Sequence, residues 1–110
     1  MTRLLLVMLC LSGCDAASSD YPVVGEARTS AAEWAKINDL ASRREVTATY
    51  ARQMRKAAHD ELAKAQSTLT DAAAKGEVAA LLALPPDASP ERIQPHVDRL
   101  KQAEDRLAVS

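Results

Sequence analysis

Few side chains in this sequence have a type and spacing that could do chemistry. The thiols are Cys10 and Cys14, and the imidazoles are His59 and His96, far apart along the chain. His59, Asp60 and Glu61 are consecutive, so on a helix they point around the axis and do not converge on a metal ion. A solvated His59 is the simpler reading, and no metal site is expected. There is no Gly-x-Ser-x-Gly turn and no phosphate-cradling glycine loop. Three glycines in the whole chain leave little for a strained catalytic turn. Carboxylates are plentiful, but none stands where burial would tune it as an acid or base. No catalytic constellation and no cofactor are therefore expected, and the chemistry narrows to Cys14.

The segment before Cys14 has three parts: a short basic start (Met1-Thr2-Arg3), an apolar run from Leu4 to Leu11, and the small residues Ser12-Gly13. That order is the plan of a secretory signal. As a helix the apolar run covers about 12 Å, far short of the roughly 30 Å of a bilayer core, so it does not read as a span. Leu11-Ser12-Gly13-Cys14 resembles the lipobox of bacterial lipoproteins. The resemblance implies cleavage between Gly13 and Cys14, a diacylglyceryl group on the Cys14 sulfur and acylation of the new amino terminus. It covers residues 1–14 only. The alternative is a plain secretory signal that contains a cysteine. One acyl chain holds a protein only marginally, whereas two or three hold it for practical purposes permanently. Asp15 resembles the residue that retains enteric lipoproteins at the periplasmic face of the inner membrane; the outer membrane is the alternative.

Removing residues 1–13 takes away one base, Arg3, and no acid, so the chain stays close to neutral. That balance argues against nucleic-acid binding, which needs a clustered positive excess. With Cys10 removed and Cys14 lipidated, no disulfide can form. Aromatics are one Trp, two Tyr and no Phe. Alanine carries much of the apolar content; it forms helix readily but buries only a methyl group. Long helices in close, thin contact are expected.

An all-α fold follows. Residues 14–29 contain Ser18-Ser19, Pro22 and Gly25 without helical period and read as the lipidated cysteine plus a flexible tether. If extended, residues 15–29 reach about 50 Å. Ser30-Ala31-Ala32-Glu33 matches a capping box. From Ser30 to Lys75 neither proline nor glycine occurs, which allows one helix of about 69 Å. Its weakest stretch is Val46-Thr47-Ala48-Thr49-Tyr50, where β-branched residues accumulate. Ala58, Leu62, Ala65, Leu69 and Ala72 form a heptad-like, coiled-coil-type seam. Pro85-Pro86 stops the helix, and Ser89-Pro90-Glu91 opens another with Ser at the cap. Pro95 suggests a single turn at 90–94 and a restart. Ile93, Val97, Leu100 and Leu107 make an apolar stripe expected to fold back on Leu81, Val78 and Leu69. The domain 30–110 is thus expected to be a helical hairpin, or a three-helix bundle if the long helix breaks near Val46.

In a hairpin the shorter helix cannot cover the longer one. Trp34, Ile37, Leu40, Val46, Tyr50 and Met54 would then form an exposed apolar stripe, the usual mark of a contact surface. Self-association or docking on another protein is the functional expectation; a three-helix bundle would bury the stripe instead. From Arg43 to Lys64, six bases (Arg43, Arg44, Arg52, Arg55, Lys56, Lys64) stand against Glu45, Asp60 and Glu61. This basic girdle offers an alternative contact with lipid phosphates, cell wall or an acidic partner. Read as a whole, the chain is expected to be a non-enzymatic envelope lipoprotein, anchored through Cys14, without nucleic acid or small-molecule substrate. Lipoproteins of this size occur in conjugation and entry exclusion, and as accessory subunits of secretion or efflux machines. A phage lysis lipoprotein is a further alternative, although the proline-rich type matches this Ala-rich chain poorly.

Overall fold

The computed structural model describes the backbone of residues 2–109 and the side chains of residues 19–109. The expected signal segment 1–13, the cleavage position Gly13 and the lipidation position Cys14 lie outside the residues whose side chains are described. The fold is all-α: α1 (Thr2–Ser42), α2 (Ala48–Thr68), α3 (Ala72–Leu82) and α4 (Pro90–Ala108), with no strand among the described residues. No helix of the described residues is long and apolar enough to cross a membrane.

The expected tether is a correction. Residues 19–29 belong to α1, and Asp20, Val24 and Ala27 are buried. The buried positions Asp20, Val24, Ala27, Ala31, Trp34 and Asn38 step by four and three along one face, the spacing of a helix seam. Polar residues at both ends and alanines in the middle hide that seam in the sequence. Pro22 sits on the exposed side of the helix, where its ring meets solvent. Gly25 serves close approach: a Cβ there would lie 2.6 Å from Glu104 Oε2 on α4. Ser30 is likewise not a cap. It is buried inside α1, next to the seam position Ala31.

The expected long helix 30–75 breaks twice, so neither a hairpin nor a three-helix bundle forms. The first break falls at Val46, as the β-branched stretch suggested. Arg44 has φ of 57°, and the N–H groups of Arg44 and Glu45 donate to the carbonyls of Ala41 and Leu40. This is a Schellman closure, with arginine where glycine is usual. Thr47 then caps α2, accepting from the Tyr50 N–H at 3.1 Å. The second break has no proline or glycine to announce it. Leu69 is extended, and Asp71 caps α3 by accepting from the Ala74 N–H at 3.0 Å. Asp20 of α1 holds the turn between them. Its carboxylate accepts from the Thr70 N–H, from Thr70 Oγ1 at 2.8 Å and from the Asp71 N–H at 2.7 Å. Restarting the helix also rotates Ala72 off the predicted seam, and it is exposed.

The helices run alternately up and down. Asp20 meets Thr70 while Asn38 meets Arg55, so α1 and α2 are antiparallel. Arg28 pairs with Glu104 at 2.9 Å and Asn38 bonds to Ala88, so α4 also runs against α1. Asp71 meets Arg106 and Glu77 meets His96, which sets α3 against α4. Of the expected α4 stripe, Ile93, Val97 and Leu100 are buried and Leu107 is half-buried; Ala103 is buried between them, and the helix packs on α1 more than on α3. Pro95 does not interrupt α4, which is continuous from Pro90, and its ring lies on the exposed side.

Two carboxylates, Asp71 and Glu77, tie the α3 segment to α4. Arg106 donates to Asp71 at 2.8 Å; that bond, with the Ala74 N–H, holds the Asp71 carboxyl below its ordinary range. At Glu77 burial pushes the carboxyl up, but bonds from His96 and Arg99 outweigh it and the net direction is down.

If residues 19–29 are core, they cannot be exchanged for a linker. Replacing them with an equally long Gly/Ser segment is expected to abolish the cooperative thermal transition followed by circular dichroism. Retention of that transition would restore the tether.

Candidate functional site

Trp34 is the pivot between the α1 seam and the turn that joins α3 to α4. Its ring is 4% exposed, and Nε1 donates to the Pro86 carbonyl at 2.8 Å. One helical turn on, Asn38 is also 4% exposed. Its Nδ2 donates to the carbonyls of Pro86 at 3.0 Å and Ala88 at 2.7 Å. Its Oδ1 accepts from Arg55 Nε at 2.7 Å. The orientation of the amide follows from these partners, since two carbonyls require the NH₂ side and a guanidinium requires the oxygen. Pro85-Pro86 ends α3 and leaves carbonyls that no helical N–H can reach. Trp34 and Asn38 supply the missing donors.

The predicted docking stripe does not survive as an open surface. Trp34 and Ile37 are buried, and Leu40, Val46 and Met54 are half-buried. Only Tyr50, at 46%, is exposed. The reason is the break at Val46, which turns α2 back onto α1 and covers the stripe from within.

The same reversal brings Trp34 together with part of the basic girdle. Trp34, Arg52, Arg55, Lys56, His59, Asp60 and Pro86 line an open cleft of about 380 Å³. On α2 the positions 52, 55, 56 and 59 share one face, so three cations and an imidazole line the cleft together with Trp34 and Pro86. Arg52 and Arg55 also line an adjoining cleft of about 420 Å³ with Ala41, Arg44, Val46, Ala48 and Ala51. The rest of the girdle is not drawn in. Arg43 pairs with Asp39 and Glu45 at the end of α1, and neither it nor Lys64 lines the first cleft.

No family model, no curated protein and no solved structure matches this chain.

Among the described residues no three His, Cys, Asp or Glu side chains cluster as metal ligands. His96 is held by Glu77 and Arg99 on the α3–α4 face, away from His59. Sequence reading missed Asn38 and Asp20, the two polar residues that set the turns. The signal was there: each lies four residues from an apolar seam position, Asn38 after Trp34 and Asp20 before Val24.

Asn38→Ala leaves the Ala88 carbonyl and the Arg55 Nε without their partners, while Pro86 keeps Trp34. Unfolding in urea, read from Trp34 fluorescence, is expected to show a loss of about 2 kcal/mol with an unchanged slope. A loss below about 0.5 kcal/mol would mean that water replaces the amide.

Proposed function

We propose that this chain is a lipid-anchored cell-envelope protein whose helical bundle serves as a non-enzymatic interaction or structural subunit. The observation that carries the reading is Leu11-Ser12-Gly13-Cys14 behind an apolar segment. In this reading the signal is cut before Cys14, and Cys14 carries the acyl chains. Asp15 favours the periplasmic face of the inner membrane. An accessory role in conjugation or entry exclusion, secretion or efflux suits a protein of this size and plan.

The fold adds a geometric consequence. Cys14 and Asp20 are six positions apart, a reach of at most about 20 Å. Asp20 is already core, so the bundle stands close to its anchor. The end formed by Asp20, Thr70 and Arg106 then faces the lipid. Trp34 lies 14 positions beyond Asp20, about 21 Å further along α1. The basic cleft is thereby turned away from the anchoring membrane. That orientation favours a partner in the aqueous compartment over the alternative, contact of the basic girdle 43–64 with the lipid surface.

Two measurements test this. Cells fed labelled palmitate are expected to label the unaltered protein and not Cys14→Ser, which should leave the membrane fraction. An unlabelled parent protein would end the lipoprotein reading. With the mature protein in vesicles of brominated lipid, emission from Trp34 is expected to be unquenched. Strong quenching would place the cleft at the bilayer and favour the lipid-surface alternative.

A further inference from the structure

The cleft beneath Trp34 has more positive charge than its own fold uses. Arg55 is fixed by Asn38 through Nε alone, which leaves its terminal amino groups for another acceptor. Lys56 Nζ bonds to Asp60 at 2.8 Å, but both side chains are largely exposed, so that pair contributes little and exchanges partners cheaply. Arg52 makes no ion pair or hydrogen bond among the described residues, although it lines both clefts on this face. One carboxylate, Asp60, thus faces three permanent cations.

The lining below those charges is apolar. It consists of Pro86, the aliphatic stems of the arginines and lysine, and the small part of Trp34 that is not buried. The indole is locked by its bond to the Pro86 carbonyl, so it need not be ordered when a ligand arrives. Pre-arranged surfaces of this kind lose less entropy on binding. The volume of about 380 Å³ lies within the range of small-molecule sites, roughly 300–1,000 Å³.

We infer that this cleft is a binding site for a small organic anion, one carboxylate, sulfonate or phosphate group carried on an aromatic or aliphatic body. The apolar body lies on Pro86 and the side-chain stems, against the small edge of Trp34 that reaches the cleft. The anionic group is met by Arg52, by the free amino groups of Arg55 and by Lys56, which releases Asp60. Both halves are needed: an inorganic anion lacks the apolar contact, and an uncharged body leaves the cations facing one another. The inference concerns the bundle alone and does not depend on lipidation of Cys14.

The sole tryptophan makes the site directly readable. The full chain is titrated with naphthalene-2-sulfonate, and the emission of Trp34 and its indole N–H resonance are followed. Saturable changes in both are expected. Naphthalene-2-sulfonamide, uncharged and of the same shape, and inorganic sulfate are each expected to bind at least about tenfold more weakly, a difference of about 1.4 kcal/mol. Arg52→Glu with Lys56→Glu should weaken the sulfonate by a similar factor while leaving the circular dichroism spectrum unchanged. Should that pair fail to fold, Arg52→Gln is expected to weaken binding in the same direction. Equal binding of the sulfonamide, undiminished binding to the folded variant, or no saturable change at Trp34 would each overturn the site.

Discussion

The bundle depends on α1 being held at two points, Asp20 and Asn38, each a buried polar side chain. At one of them the carboxylate of Asp20 takes the N–H groups of Thr70 and Asp71 and the hydroxyl of Thr70. At the other, the amide of Asn38 takes the carbonyls of Pro86 and Ala88 and the guanidinium of Arg55. Each replaces hydrogen bonds that the chain lost on reversing direction. Burying those backbone groups without partners would cost about 1–3 kcal/mol apiece. Between the two clamps the seam is thin, mostly Val24, Ala27, Ala31 and Trp34. Alanine lets the helices come close but contributes little burial energy. A bundle of such seams has few ways to choose its register, and the clamps supply that choice. Polar groups in a core act in this way when every bond they can make is satisfied.

How far this was legible in the residues varies with the kind of signal. The apolar stripe of α4, its Ser89 and Pro90 start and the stop before Pro85 follow from local rules, and the structure agrees. The break near Val46 was visible as a β-branched run, though its mechanism is a Schellman turn at Arg44 and a Thr47 cap. The break at Leu69 was not visible. Leu69 continues the heptad seam, and the Asp71 cap is a weak local signal; what holds the turn is Asp20, fifty positions away in sequence. Residues 19–29 were misread for the complementary reason. Pro22 and Gly25 are loop residues by local rule, yet here one ring faces solvent and the other position admits Glu104. A seam of alanines flanked by Asp20 and Asn38 carries no hydrophobic period strong enough to override them.

Closure of the expected docking stripe changes which surface is open to a partner. Burying Trp34 and Ile37 closes the simplest surface for self-association, but the reversal of α2 gathers Arg52, Arg55 and Lys56 around one cleft beside Trp34 and Pro86. The basic girdle was legible as composition, not as a site. It becomes one because Asn38 fixes both Arg55 and the Pro86 turn, so the clamp that closes the bundle also shapes the cleft. The short distance from Cys14 to Asp20 then ties the orientation of that cleft to the anchor in the proposed reading.

The central claim is that residues 20–38 are the spine of the fold. Native-state hydrogen exchange measured residue by residue tests it most directly. Because α1 shares one core with α2 and α4, the amides of Val24, Ala27 and Ala31 should exchange with the same free energy as those of Leu62 and Leu100. Exchange of Val24, Ala27 and Ala31 at unprotected rates, with Leu62 and Leu100 still protected, would contradict the account and return α1 to a tether.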